Sequence, residues 1–125
     1  MRKILIGLLI IFFFFSPQAF ADDKYQWLQN ASTFYDTCKF YKRGLDQQHI
    51  DLCIMWVVNG ADIAEKMQRS EKKCLVNIPV ATTGEELLRL YLEYIKDNWN
   101  NIRGWNWEFY QLALQQIFPC YSIKK

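Results

Sequence analysis

From Trp27 onward, apolar positions recur at helical spacing in four stripes separated by polar or glycine-bearing breaks. Trp27, Leu28, Ala31, Phe34, Tyr35, Cys38 and Tyr41 fall three and four apart. That is one face of a first helix, running to about Tyr41 and ended by Gly44. Leu45 to His49 reads as a short polar loop. Ile50, Cys53, Ile54, Val57, Ala61 and Ala64 form the next stripe, with Trp56, Gly60, Ile63 and Met67 beside it. A helix apolar over so wide an arc is expected at the centre of a bundle. Gly60 lowers helix propensity by about 1 kcal/mol relative to alanine, and its expected use is to let another helix come close.

Arg69 to Lys73 is a charged exit, and Cys74 to Ala81 is irregular around Pro79. Thr83-Gly84-Glu85-Glu86 has the pattern of a capping box, in which the hydroxyl and the glutamate satisfy free amides at a helix start. Leu87, Leu88, Tyr91, Leu92, Ile95 and Trp99 then make a third helical face. Asn98 to Asn106 is a loop rich in Asn, Trp and Gly. A fourth helix carries Phe109, Tyr110, Ala113, Leu114, Ile117 and Phe118, and Pro119 stops it. Only Leu75 to Val80 hints at the period of a strand. The predicted fold is all-α, a compact bundle of four or five helices.

Ahead of the first helix, Arg2 and Lys3 precede an unbroken apolar run of 12 residues, Ile4 to Phe15, followed by Ser16-Pro17-Gln18 and Ala19-Phe20-Ala21. A charged start, an apolar middle and a small-x-small end form the secretory signal pattern. A membrane-spanning helix needs about 20 apolar residues, and this run is stopped earlier. Residues 1–21 are expected to be a cleaved signal peptide. Residues 22–125 are then a single exported domain, with no membrane association after cleavage.

The signal also carries the charge imbalance. The chain has 15 Lys plus Arg against 13 Asp plus Glu. Without Arg2 and Lys3 the balance is 13 against 13. A nucleic-acid binder shows a basic patch or stripe, and Lys72-Lys73 and Lys124-Lys125 are only short pairs. Nucleic acid is therefore not an expected partner.

Four cysteines in an exported domain point to disulfides, and four allow three pairings. Topology ranks them. Cys38 near the end of the first helix faces Cys53 near the start of the second across a short loop. Cys74 before the third helix and Cys120 after the fourth meet if those two helices also form a hairpin. The favoured pairing is Cys38–Cys53 and Cys74–Cys120. A metal site is not expected: the gaps of 14, 20 and 45 residues between cysteines lack the close ligand pairs that zinc favours.

No catalytic set stands out, and neither enzyme activity nor a cofactor is expected. His49 is the only histidine, and it reads as a capping or solvated residue. Ser32, Ser70 and Ser122 sit in no nucleophile motif. The adjacent carboxylates Glu85-Glu86 and Asp22-Asp23 are accounted for by helix capping and by an exposed terminus. The aromatics are more informative. Trp99, Trp105 and Trp107 cluster around a loop with Asn98, Asn100, Asn101 and Arg103. Trp and Arg are enriched at interface hot spots, and an equal reading has these tryptophans folding back over the helix ends.

Read in order, these elements resemble a known family. Cys38 is followed by Cys53-Ile54-Met55-Trp56-Val57-Val58-Asn59-Gly60. Then come Cys74, a threonine before the third helix (Thr82 or Thr83), Ala113-Leu114 and the ending Phe118-Pro119-Cys120. This order resembles the Rap/Tai family of type VI secretion immunity proteins, whose fold is similar to that of small periplasmic acid-stress chaperones. Two features depart from it. The proline close behind the family's third cysteine waits here until Pro79, and Asn98-Trp99-Asn100 stands where members often have a proline after the third helix.

The resemblance implies a periplasmic, often homodimeric, helical protein. It would bind a secreted peptidoglycan amidase effector and block its active-site cleft, through surfaces near the third and fourth helices. Lys96, Trp99, Asn100, Arg103 and Trp105 are the partner-binding residues this implies. Two other readings stand beside it: an acid-stress periplasmic chaperone of similar fold, and an exported binding module for another ligand.

Overall fold

The computed structural model describes residues 23–120. The signal peptide expected over 1–21, together with Asp22, Ser122 and the Lys124-Lys125 pair, lies outside the described residues. Among the described residues there are four α-helices: α1 (Ala31–Cys38), α2 (Gln47–Glu71), α3 (Gly84–Asp97) and α4 (Asn106–Ile117). Short 3-10 turns cover Asp23–Leu28 and Trp99–Asn101. Each helix touches the other three, so the predicted all-α bundle is the fold. No strand occurs among the described residues, and the stretch around Pro79 is irregular.

Local chemistry accounts for the helix starts. Asp46 caps α2 by accepting from the His49 amide. The His49 ring adds a 2.7 Å contact from Nδ1 to Asp46 Oδ1. The helix therefore begins at Gln47, inside the stretch expected to be a loop. Thr83 Oγ1 accepts from the Glu86 amide at 3.1 Å, the first half of the expected capping box. At the other end of α2, Lys72 adopts a left-handed conformation (φ 57°), and its amide closes on the Gln68 carbonyl.

The first stripe does not form one continuous helix. Asn30 is extended (φ −117°, ψ 141°) and separates the 3-10 turn from α1. Thr33 Oγ1 donates to the Trp27 carbonyl across this break. The carbonyls of Leu28 and Gln29 are taken by Asn106, the first residue of α4. Helical spacing survives the break because both pieces bury the same side.

The core centres on four aromatic rings, one from each helix. Phe34 lies 4.9 Å from Trp56 and 5.6 Å from Tyr91, and Tyr110 lies 5.2 Å from Trp56 and 4.5 Å from Tyr91. Tilted pairs of this kind contribute about 0.5–1.5 kcal/mol each beyond burial. Burial pushes the Tyr91 and Tyr110 hydroxyls well above their ordinary pKa. Both therefore stay protonated as donors, Tyr91 to Asn106 and Tyr110 to the Val57 carbonyl at 2.7 Å.

Cys38 is bonded to Cys53 and Cys74 to Cys120, the pairing that topology ranked first. Both Cys38 and Cys53 are fully buried.

Gly60 is the close-approach position. A Cβ there would lie 2.6 Å from Tyr110 Cε2 and 2.8 Å from Cδ2. The ring cannot retreat easily, because its hydroxyl is bonded and Trp56 and Tyr91 flank it. Gly60→Ala gains about 1 kcal/mol of helix propensity and meets about 1–3 kcal/mol of overpacking. The expected result is a net loss of about 1 kcal/mol, seen calorimetrically as a Tm lower by roughly 4–8 °C. A Tm that rises would mean the ring is free to move.

The second stripe of α2 is less buried than its pattern suggested. Trp56 is half-buried, but Ile63 and Met67 are exposed. The reason is the face they occupy. Ala64, on the same turn as Ile63, is 1% exposed, so α2 is still covered there. Ile63 and Met67, four apart, lie on the side that the other helices leave open.

Candidate interaction surface at the α3–α4 connection

The five residues singled out from the sequence fall on a single connection. Lys96 lies in the last turn of α3. Trp99 and Asn100 belong to the 3-10 turn. Arg103 follows, and Trp105 is the residue before α4. All five are exposed, Trp105 the most at 60% and Trp99 at 43%.

The connection is built as an ordered turn sequence. The Asn98 amide closes α3 on the Tyr94 and Ile95 carbonyls, and its side chain donates to the Tyr94 carbonyl at 2.9 Å. The Asn101 amide bonds to the Asn98 carbonyl. Ile102 turns inward against the core. Gly104 then takes φ +71°, a conformation that disfavours a side chain. Trp105 is extended, and its amide donates to Glu108 Oε1 at 3.0 Å.

Asn106 anchors the end of the connection. It is 1% exposed, the one buried polar residue among the described residues. Its Nδ2 donates to the Leu28 carbonyl at 2.8 Å, and its backbone amide donates to the Gln29 carbonyl at 2.7 Å. Its Oδ1 accepts from the Tyr91 hydroxyl. A buried amide with each group partnered is rigid. It fixes the backbone from which its exposed neighbours Trp105 and Trp107 project. The sequence reading assigned Asn106 no role, and no local pattern marks an asparagine as buried.

Trp99 does not stand alone. Its ring meets Tyr35 of α1 edge-on at 5.5 Å. Lys39 lies over both the Tyr35 ring (5.5 Å) and the Phe40 ring (5.2 Å). An aromatic strip therefore runs from Trp99 through Tyr35 to exposed Phe40. Tyr35 and Phe40 were missed as candidates: Tyr35 reads as core from its spacing, and Phe40 belongs to no stripe.

Charge in the connection is available rather than consumed. Among the described residues Lys39, Lys66 and Arg89 are ion-paired to carboxylates, whereas Lys96 and Arg103 are not. Exposed ion pairs contribute about 0–1 kcal/mol, so the distinction concerns recognition more than stability.

A separate open cavity of about 230 Å³ lies between the end of α1 and the start of α3, lined by Tyr41, Lys42, Thr83, Glu85, Glu86 and Arg89. It shares no residue with the connection. Part of its polar chemistry serves the fold: Thr83 caps α3, and Arg89 pairs with Glu93 at 3.2 Å. His49 is engaged at the start of α2. Among the described residues, His, Cys, Asp and Glu side chains form no group of three able to hold a metal.

Comparison with family models, curated proteins and solved structures gives no match.

Proposed function

We propose that this protein is a periplasmic immunity protein of the Rap/Tai type, which binds a secreted peptidoglycan amidase and blocks its active-site cleft. The observation that carries the reading is the α3–α4 connection. Exposed Trp99 and Trp105 flank Arg103 on a segment tied down by Asn106 and by the closing bonds of Asn98. Trp and Arg are enriched among the few residues that dominate binding energy. Holding them rigid before the encounter lowers the ordering cost of association. Such a role requires no chemistry from the binder itself. Disulfides agree with an oxidising compartment, and the ordered motif from Cys38 to Phe118-Pro119-Cys120 supplies the family assignment.

Calorimetric titration of the oxidised protein with the amidase encoded beside its gene tests the proposal. The expected outcome is tight binding, with Kd near the nanomolar range (about −12 kcal/mol), and abolished peptidoglycan cleavage. Absence of binding at neutral pH would overturn the assignment.

A further inference from the structure

The two disulfides occupy opposite environments. Cys38 and Cys53 are both 0% exposed inside the core. Cys74 is exposed and Cys120 half-buried. Thiol–disulfide exchange needs an incoming thiolate to reach one sulfur, so its rate depends on access. The core disulfide is shielded as long as the bundle is folded, and the outer one is only partly covered.

Charge strengthens the contrast. Lys72 and Lys73 immediately precede Cys74, and neither is ion-paired among the described residues. Cations beside Cys74 stabilise the thiolate that it becomes when a mixed disulfide is resolved. They also attract an anionic thiolate nucleophile.

The structure around Cys74 has non-covalent support as well. Gln68 Oε1 accepts from the amides of Leu75 (2.6 Å) and Val76 (2.9 Å). Val76 is buried in the core, and the Asn77 amide donates to the Phe118 carbonyl at 2.9 Å. The segment before α3 and the end of α4 thus remain in contact without the bond.

We propose that Cys74–Cys120 is a reversible redox latch, opened by a dithiol reductant in the folded protein, while Cys38–Cys53 is permanent. The reductant thiolate attacks Cys74 Sγ and forms a mixed disulfide, and Cys120 leaves as a thiolate. The second reductant thiol then attacks the mixed disulfide and releases Cys74 as a thiolate. Both cysteines take up protons, the dithiol becomes a disulfide, and two electrons have moved to the protein. Opening unties Cys120 from Cys74, while the Asn77 amide still holds the Phe118 carbonyl. Trp105 sits at the other end of α4, about 18 Å away at 1.5 Å per residue over 12 residues.

The experiment is graded reduction of the oxidised native protein with dithiothreitol, followed by alkylation and peptide mass spectrometry. Cys74 and Cys120 are expected to be alkylated at about ten-fold lower reductant than Cys38 and Cys53, reflecting access. Joint reduction of both pairs, or earlier reduction of Cys38–Cys53, overturns the proposal. Circular dichroism of the half-reduced species separates a latch from a structural brace. Retained helix supports the latch, and lost helix refutes it. Lys72→Gln with Lys73→Gln should slow the first reduction several-fold, and an unchanged rate removes the cations from the mechanism.

Discussion

Asn106→Ala should destabilise the protein by about 3 kcal/mol, roughly 10–25 °C in Tm for a domain of this size. The substitution removes the donor to the Leu28 carbonyl and the acceptor of the Tyr91 hydroxyl, both at a site 1% exposed. A buried polar group left unpaired costs about 1–3 kcal/mol. Two are created, and the total is moderated because the Asn106 backbone carbonyl still lies 3.3 Å from the Tyr91 hydroxyl. Against a total stability of about 5–15 kcal/mol this is a large fraction. Denaturant titration or calorimetry reads it directly. Asn106→Asp sharpens the test, since a carboxylate accepts from Tyr91 but cannot donate to Leu28. A loss below about 1 kcal/mol for Asn106→Ala would mean that the amide is not the anchor of the connection.

The double substitution Trp99→Ala, Arg103→Ala should weaken binding of the proposed amidase partner by about 100- to 1,000-fold. Hot-spot truncations cost about 2 kcal/mol or more each, with incomplete additivity, and 1.4 kcal/mol is a ten-fold change in Kd. Folding should be weakened only modestly, and the protein should stay folded under the conditions of the titration. Arg103 is exposed and unpaired among the described residues, and Trp99 gives up one edge-on contact with Tyr35, about 0.5–1.5 kcal/mol. Met55→Ala is the control: Met55 is 53% exposed on α2, away from the connection, and should leave affinity unchanged. Full affinity in the double mutant would remove this connection as the contact surface. Equal loss in the control would mean that α2 is part of the contact.

The helices were legible because their determinants are local. Stripes at spacings of three and four, the threonine cap at Thr83, and the prolines and glycines between stripes each act within a few residues. The disulfide pairing was legible for a related reason. Short connections force neighbouring helices into hairpins, and hairpins bring chosen helix ends together. The five candidate contact residues share one connection because they are close in sequence, and the structure adds their exposure. Tyr35 and Phe40 could not be read as part of that surface. Whether a half-apolar face is covered depends on what packs over it, and Trp99 covers Tyr35 from 64 positions away.

By itself, then, the sequence determined the helical class, most helix boundaries to within a few residues, a ranking of the cysteine pairings that the structure bears out, and the identity of Gly60 as a contact point. Tertiary structure decided the break at Gln29 and Asn30, the burial of Asn106 and the exposure of Ile63 and Met67. In the first two cases the deciding bond spans 78 positions, from the Asn106 amide to the Leu28 carbonyl. In the third, the decision lies in which face of α2 the other helices cover. Periodicity records which side of an element is apolar. It does not record which partner arrives to cover that side, or which distant side chain takes the backbone carbonyls that would otherwise have continued a helix.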